Sequence, residues 1–347
     1  MQPLSKKLEN PRKILIIRLS SIGDIILATP LIRCVRNKYP DARIDFLVKK
    51  QFLEIVANNP NLDNILVFEK GETLKGIKRQ IKQEKYDWLI DIHQNFRSLY
   101  LKTWSGIPIK TGYSKKIFYR SLLVCFGINI YREIKPVLLR YFEAIEKQGI
   151  TYDKAGTEVF VPLENVESVR RHILQSGYTP DKSLFVISPG ASFANKRWIP
   201  ENFSQVARHL INNRNGFVAL IGGKNDKEVC AEIQRMAGPM SVNVAGEFSI
   251  TDSAALLSLC DGFIGNDSGM LHLAQAFKKP VVGIYGPTVE ELGYFPIQEK
   301  SIVVEKPIPC RPCTHNGLNN CPKKHFRCMK TISSDDAIFA IDQLLAK

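Results

Sequence analysis

The segment best suited to chemistry is residues 265–269 (GNDSG), a turn of small and polar residues between an apolar run and a helical pattern. Small residues let backbone N–H groups approach a ligand closely, and the start of a helix offers unpaired N–H donors and a partial positive charge. Ser268 adds a hydroxyl, and His272 follows one helical turn later. The pattern is typical of a phosphate-binding turn. It equally fits an ordinary helix start that is capped by Asp267.

A second polar loop, residues 188–198 (SPGASFANKRW), follows another apolar run and contains Lys196. A Lys ammonium is a compact charge that suits phosphate, although a plain exposed basic loop has the same composition. A third loop, residues 222–226 (GGKND), precedes Glu228, and carboxylates at strand ends often accept hydrogen bonds from ribose. The chain has neither GxGxxG nor GxxxxGK[ST] spacing, which disfavours dinucleotide oxidoreductases and P-loop nucleotide hydrolases.

Near the N-terminus, Asp24 closes a turn, residues 20–24 (SSIGD), directly after the apolar run 13–19 (KILIIRL). A carboxylate at this place is suited to be a general base that deprotonates an acceptor hydroxyl, a role that contributes roughly 10²–10⁴-fold to the rate. The same spacing fits an aspartate that caps the following helix. From spacing alone, capping is the commoner role.

The elements that position these loops are apolar runs of strand length that alternate with helical patterns. We expect strands at 13–19, 43–48, 65–68, 86–92, 184–188, 217–221, 242–244, 262–265 and 281–285. The first of the helical patterns, residues 25–38, has Pro30 near its start, where proline is tolerated. Such alternation predicts parallel strands with crossover helices. Ligands of parallel sheets bind at the carboxyl ends of strands, and all the loops above lie there.

The length of 347 residues predicts two domains, because single domains usually have about 50–200 residues. We expect two facing Rossmann-like, doubly wound α/β domains, over residues 1–165 and 166–332. The last segment, 333–347, reads as an amphipathic helix that we expect to pack back toward the N-terminal domain. No apolar run approaches the roughly 18 residues that cross a bilayer, and no signal-peptide core is present. The sequence therefore predicts a cytoplasmic protein.

The formal net charge of +14 indicates an anionic partner, which could be nucleic acid, an anionic membrane surface or a polyanionic substrate. The Lys and Arg residues are spread along the chain, and none of the helical, zinc-finger or RNA-binding patterns is present. We therefore do not expect a nucleic-acid partner. A generally basic surface remains the plain alternative.

Four of the eight cysteines share the spacing C-x2-C-x7-C-x6-C, and they are Cys310, Cys313, Cys321 and Cys328. This spacing is compatible with a structural zinc site, but the second pair does not repeat the C-x2-C knuckle. A reduced, loop-rich tail and a disulfide pair both stay open. We expect no other metal site.

Taken together, these places resemble glycosyltransferase family 9, the ADP-heptose:lipopolysaccharide heptosyltransferases. The resembling segments cover most of the chain in family order, and they are 13–33 (KILIIRLSSIGDIILATPLIR), 86–98 (YDWLIDIHQNFRS), 188–203 (SPGASFANKRWIPENF), 220–228 (LIGGKNDKE) and 265–288 (GNDSGMLHLAQAFKKPVVGIYGPT). Several motifs in order are much more specific than any one of them.

The resemblance implies the glycosyltransferase-B fold, with ADP-heptose held by the second domain and the acceptor by the first. It implies an inverting transfer by direct displacement that requires no metal ion or other cofactor. Asp24 matches the general base of the family, and Lys196 matches the residue that neutralises the diphosphate. The implied donor-binding residues are Ser192, Lys196, Gly222, Glu228, Asp267, Ser268, Gly269 and His272.

The implied acceptor is an anionic, lipid-linked sugar of the lipopolysaccharide inner core, which accounts for a basic chain. It also predicts peripheral association with the inner face of the cytoplasmic membrane. The candidates for acceptor binding, or else for a solvated basic face, are Arg97, Lys115, Lys116 and Arg120. Two alternatives remain: a related glycosyltransferase that uses another nucleotide sugar for a different surface glycan, and an inactive nucleotide- or glycan-binding protein of the same fold.

Overall fold

A computed structural model of the chain describes residues 10–346. The chain divides into two compact units, the first made of Met1–Ile117 and Lys135–Phe160 and the second of Phe118–Ile134 and Val161–Lys347. The segment Phe118–Ile134 is thus grouped with the second unit, although it precedes the expected boundary. The first nine residues of the expected N-terminal domain, and Lys347 of the expected C-terminal segment, lie outside the described residues.

Unit 1 is built on a parallel sheet whose strand order, within the described residues, is β3-β2-β1-β4-β5. Its strands are β1 (Lys13–Ile17), β2 (Arg43–Lys49), β3 (Asn64–Phe68), β4 (Trp88–Asp91) and β5 (Ile109–Gly112). The order reverses between β1 and β4, so the loops that leave these two strands diverge and open a crevice at the sheet edge. Asp24 follows β1, and His93 follows β4.

The helices that begin in unit 1 are α1 (Ile22–Ile26), α2 (Thr29–Lys38), α3 (Leu74–Glu84), α4 (Phe96–Trp104), α5 (Ile117–Phe126) and α6 (Val137–Phe142). The single helix expected over 25–38 is two helices, because the chain breaks after α1 and Pro30 is placed in the first turn of α2, where its missing N–H is not needed. Leu15, Ile17 and Leu89 of the sheet pack with Ile77 and Ile81 of α3 in the core.

Unit 2 contains a parallel sheet with strand order β11-β10-β9-β6-β7-β8 among the described residues, which is the classical Rossmann order. Its strands are β6 (Ser183–Ser188), β7 (Gly216–Leu220), β8 (Ser241–Asn243), β9 (Gly262–Asn266), β10 (Val281–Ile284) and β11 (Ser301–Val304). Its helices are α7 (Leu163–Gln175), α8 (Pro200–Asn213), α9 (Lys227–Ala237), α10 (Ile250–Leu259), α11 (Gly269–Ala276), α12 (Arg327–Lys330) and α13 (Ser334–Leu345). The expectation of two Rossmann-like sheets is confirmed.

The C-terminal helix α13 lies on unit 2. Its buried face, which includes Ile341 and Leu344, is part of the same core cluster as Phe185 of β6 and Leu210 of α8. The helix contacts α8, β10 and β11. The apolar stripe of α13 closes the core of the second sheet, and the expected return of this segment toward the N-terminal domain stays a prediction.

No helix within residues 10–346 has the length and apolar character that are needed to cross a membrane.

Candidate active site

The carboxyl ends of β6 and β9 flank the point where the strand order of unit 2 reverses. Asn266, the last residue of β9, is fully buried and holds both ends of the loop that follows β6. Its Nδ2 donates to Pro189 O at 2.7 Å, and its Oδ1 accepts from Trp198 N at 3.1 Å. The loop that carries Lys196 is therefore fixed to the turn that carries Asp267.

Lys196 ends a single 3-10 turn, Ala194–Lys196. Its side chain points toward the turn that carries Asp267. Its Nζ lies 2.6 Å from Asp267 Oδ2, and the two side chains are only 12% and 6% exposed. Thr288, which follows β10, donates its hydroxyl to the same carboxylate oxygen at 2.7 Å. Asp267 therefore does not cap the helix that follows it, and it holds the Lys196 ammonium at the sheet edge.

Ser268 occupies the N-cap position of α11, but its side chain does not cap the helix. Its Oγ is buried, and no atom of the described residues pairs with it. By contrast, the N-cap residues Ser249 of α10 and Ser333 of α13 accept hydrogen bonds from their own first turns. A buried hydroxyl without a partner costs about 1–3 kcal/mol. Such a group beside a helix N-terminus and a held ammonium fits an anionic ligand.

His272 lies in the first turns of α11 and is 3% exposed. Its Nδ1 is 3.2 Å from Gln275 Oε1. The helical spacing places His272 one turn from Ser268, as the sequence predicted.

Of the carboxylates after β7, it is Asp226 whose side chain faces the Lys196 loop. A Cβ on Gly190 would overlap the Asp226 carboxylate, and a Cβ on Gly222 would lie 2.6 Å from Asp226 Cβ. These positions require glycine because the Asp226 side chain fills the space. Glu228, the carboxylate that we expected at the donor, is exposed on α9.

A segment far along the chain, residues 305–318, supports both sides of this edge. Leu318 N donates to Asn195 Oδ1 at 2.7 Å, and Asn195 N donates to Leu318 O at 3.1 Å. Arg311 donates to Thr288 O at 2.7 Å. The segment therefore forms hydrogen bonds with Asn195, which precedes Lys196, and with Thr288, which bonds to Asp267.

Of the four clustered cysteines, Cys310 and Cys313 lie within this segment, and Cys321 and Cys328 follow it; all eight cysteines are free thiols. Cys310 Sγ lies 3.7 Å from His325 Nε2, and burial, followed by the charge of Cys313, raises the pKa of Cys328 to about 11. Within the described part of the chain, no group of three or more His, Cys, Asp or Glu side chains is arranged to hold a metal ion.

In unit 1, Asp24 lies in the crevice between the ends of β1 and β4. Its Oδ1 is 2.6 Å from Arg18 Nη2 and accepts from the Tyr141 hydroxyl at 3.0 Å. Its Oδ2 accepts from Ser21 Oγ at 2.8 Å and from Ser21 N at 3.2 Å. Asp24 is therefore not the N-cap that the spacing suggested: it lies within α1, and its carboxylate reaches back to Ser21, the N-cap residue. It also pairs with a buried arginine.

The Arg18 guanidinium sets the electrostatics of this crevice. It is 5% exposed and is fixed by hydrogen bonds to Ile92 O at 2.5 Å and Ser20 O at 2.8 Å. Burial opposes ionisation of Asp24, but the charge of Arg18 and the Ser21 hydrogen bonds together hold the pKa of Asp24 well below its usual range. Burial and then the Arg18 charge lower the pKa of His93 to about 3. Asp24 is thus an anion, and His93 is neutral.

The basic candidates for acceptor binding are not gathered in one place. Arg97 lines a cavity of about 560 Å³ in unit 1 that also has Lys49, Lys50 and Lys70 in its wall. The charge of Lys115 acts on His93. Arg120, by contrast, donates to His315 O at 3.4 Å and to Asn316 Oδ1 at 3.3 Å in unit 2.

The structure thus brings Lys196, Asp267, Ser268 and Gly269 together, and it leaves Ser192 and Glu228 exposed. The residues that sequence reasoning did not single out are Arg18, His93, Asn195, Asp226 and Thr288. The position of His93 directly after β4, at the reversal of strand order, is the signal that could have identified it.

The comparisons with known proteins agree with this geometry. The sequence model of glycosyltransferase family 9 (heptosyltransferase) matches residues 75–324. The chain is 26% identical to lipopolysaccharide heptosyltransferase 2 of Escherichia coli (strain K12), over 80% of this chain and 83% of that protein. It is 26% identical to lipooligosaccharide heptosyltransferase 2 of Campylobacter jejuni, over 93% of this chain and 95% of that protein. The crystal structure of the glycosyl transferase family 9 protein from Veillonella parvula superposes with a TM-score of 0.79, at 25% identity and 99% coverage of both chains.

Proposed function

Because the chain belongs to glycosyltransferase family 9 and is a glycosyltransferase, we propose that it transfers heptose from ADP-heptose to a hydroxyl of the lipopolysaccharide inner core. The observation that carries the proposal is the buried Ser268 Oγ, which has no partner in the described chain and follows the residue that holds Lys196. A diphosphate would supply oxygen atoms that accept hydrogen bonds from this hydroxyl and from the N–H groups at the N-terminus of α11. The names of the relatives supply the sugar, and ADP is the nucleotide that the resemblance to family 9 implies.

We propose that the donor lies along the edge formed by the ends of β6, β7 and β9. Lys196 and the start of α11 face the diphosphate, because a departing ADP gains negative charge that preformed donors and a cation stabilise. Ser192, Gly222 and His272 border this edge. For the ribose we favour Asp226 over the expected Glu228, because the Asp226 side chain lies against Gly190 of the Lys196 loop.

In this proposal Asp24 is the general base. The acceptor oxygen attacks the anomeric carbon on the face opposite to ADP, which inverts its configuration, and its proton passes to a carboxylate oxygen of Asp24. A carboxylate with so low a pKa is a weak base. The transfer of the proton is therefore late, after the bond to ADP has largely broken and the attacking oxygen has become acidic. Charge stabilisation by Lys196 and α11 makes a metal ion or other cofactor unnecessary.

The acceptor is proposed to bind unit 1 through the cavity that Arg97 shares with Lys49, Lys50 and Lys70. The same wall carries Glu69 and Glu72, and Lys50 pairs with Glu69 at 2.8 Å. Lys49, Lys70 and Arg97 are therefore the side chains proposed to meet the anionic groups of an inner-core sugar. Lys115 and Lys116 are proposed to contribute from the neighbouring loop. A lipid-linked acceptor also places the enzyme at the inner face of the cytoplasmic membrane.

A nucleotide screen tests the donor assignment. We expect ADP to raise the melting temperature of the protein more than UDP or GDP at equal concentration, since ligand binding to the native state stabilises it. Lys196→Ala should abolish most of the ADP shift. A larger shift with UDP or GDP would support the alternative of another nucleotide sugar. Binding of ADP without any transfer would support an inactive binding protein.

A further inference from the structure

Helix α5 turns its apolar face outward. Phe118 is 69% exposed and Phe126 is 72% exposed, whereas Leu123 is buried. At 100° per residue, Phe118, Leu122 and Cys125 lie on one side of the helix, and Phe126 is adjacent to them. A helix on the surface of a protein in water normally has the opposite arrangement, with its polar side outward.

The residues that follow α5 also expose apolar side chains. Ile128 is 51% exposed, and Ile134 is 40% exposed. Tyr119 and Tyr131 pack edge to face at a centroid distance of 5.5 Å, so the segment after α5 folds back along the helix. Clusters of large exposed apolar side chains mark interaction sites more often than single ones do.

Polar contacts hold this segment in place from its inner side. Arg120 donates to His315 O and Asn316 Oδ1, and Asn129 Nδ2 donates to Glu291 Oε1 at 2.9 Å. The polar side chains therefore face the body of unit 2 while the phenylalanines face away from it. The orientation of the apolar side is fixed by these bonds.

The charge of the segment indicates what covers it. Residues 115–135 contain five basic side chains and one acidic side chain, Glu133. Arg120 is turned inward by the bonds above, and Lys116 and Arg132 are exposed. Exposed Phe and Ile side chains flanked by Lys and Arg are the composition with which helices lie in the interface of an anionic bilayer.

We propose that α5 and residues 127–134 dock on an anionic lipid surface, with Phe118, Phe126 and Ile128 inserted among the lipid headgroups. The inference deepens the proposed function, since it assigns the surface that brings the enzyme to a lipid-linked acceptor. It does not depend on which sugar is transferred.

The test is flotation of the purified full-length protein with vesicles of phosphatidylcholine alone or with 30 mole per cent phosphatidylglycerol (about one lipid in three anionic). We expect binding to the anionic vesicles that weakens with added salt. The double variant Phe118→Ser, Phe126→Ser should lose at least about tenfold in partitioning. Phe339→Ser is the matched control, because Phe339 is 65% exposed on α13 of the same unit and should leave binding unchanged.

Equal binding of the double variant and the wild type would overturn the proposal, as would failure of the wild type to bind anionic vesicles. A wild type that self-associates through this face, detected as a dimer that the double variant abolishes, together with no vesicle binding, would show a protein interface instead.

Transfer to a deacylated, water-soluble acceptor separates this inference from the proposed function. We expect the double variant to keep the wild-type rate on that acceptor and to lose rate only on acceptor embedded in vesicles. If neither protein uses ADP-heptose while vesicle binding still depends on Phe118 and Phe126, the proposed function fails and the docking surface remains.

Discussion

The ammonium of Lys196 lies 2.6 Å from the carboxylate of Asp267, and both side chains are nearly buried. The two residues follow different strands, and Thr288 from a third strand end completes the arrangement. A buried ion pair contributes little net stability, but removal of one partner leaves a costly unpaired charge. The pair therefore fixes the place of a cation at the sheet edge, beside the unpaired Ser268 hydroxyl.

Lys196→Ala is expected to weaken donor use and to lower stability. The loss of the cation should raise the KM for ADP-heptose at least about tenfold, which corresponds to roughly 1.4 kcal/mol. The unpaired Asp267 should lower the free energy of unfolding by about 3 kcal/mol. Steady-state kinetics and denaturant unfolding measure the two effects.

The double variant Lys196→Ala, Asp267→Asn separates the two effects, because no buried charge is left over. It should recover most of the lost stability and none of the donor affinity. If donor affinity returned with stability, Lys196 would have a structural role alone.

Asn195→Ala is expected to loosen the Lys196 loop, because it removes the acceptor of the Leu318 N–H. We expect a KM for the donor about tenfold higher and a kcat within about twofold of wild type, since a misplaced loop chiefly weakens binding. The control is Asn202→Ala, which removes one hydrogen bond, to Ile332 O, elsewhere in the same unit. Equal KM values in the two variants would contradict the role of Asn195.

Asp24→Asn should reduce the rate of transfer by about 10²–10⁴-fold if Asp24 is the general base. Ser21→Ala serves as its control, because it removes the hydrogen bond from the Ser21 hydroxyl to Asp24 and keeps the carboxylate. We expect Ser21→Ala to lower the free energy of unfolding by about 1 kcal/mol and to retain most activity. Activity lost equally in both variants would show that Asp24 matters only for the start of α1.

The depressed pKa of Asp24 also predicts a dependence of stability on pH. A carboxyl whose pKa is lower in the folded state stabilises the protein above its ordinary pKa of about 4, and this contribution is lost as the pH falls toward the folded value. The difference in unfolding free energy between wild type and Asp24→Asn should therefore be constant from about pH 5 to 7 and shrink below about pH 4. Chemical denaturation across this range measures it. A difference that stays constant down to pH 3 would contradict the strong Arg18–Asp24 pairing.

The fold could be predicted from the sequence because its buried parallel strands are continuous apolar runs such as 13–17 and 184–187. Edge strands carry a weaker signal: β5 is the short sequence IKTG, is half-buried, and was not predicted. The turn at Asp267 and the loop at Lys196 could be placed on one edge by the rule for parallel sheets.

Contacts between distant residues could not be predicted. Asn195 and Leu318 are 123 residues apart, and no local pattern links them. Arg18 lies within the first apolar run. That it pairs with Asp24 follows only from the conformation of the turn after β1. Helix α5 was not predicted, and an apolar sequence such as residues 117–126 (IFYRSLLVCF) does not by itself tell which side faces the core.

Incubation of the purified protein with ADP-heptose and a lipopolysaccharide inner-core acceptor tests the proposed heptose transfer. Mass spectrometry of the acceptor and quantification of released ADP should show one heptose added per ADP, and Asp24→Asn should show neither product above background. Absence of transfer from ADP-heptose, together with turnover of a UDP- or GDP-linked sugar under the same conditions, would contradict the proposal.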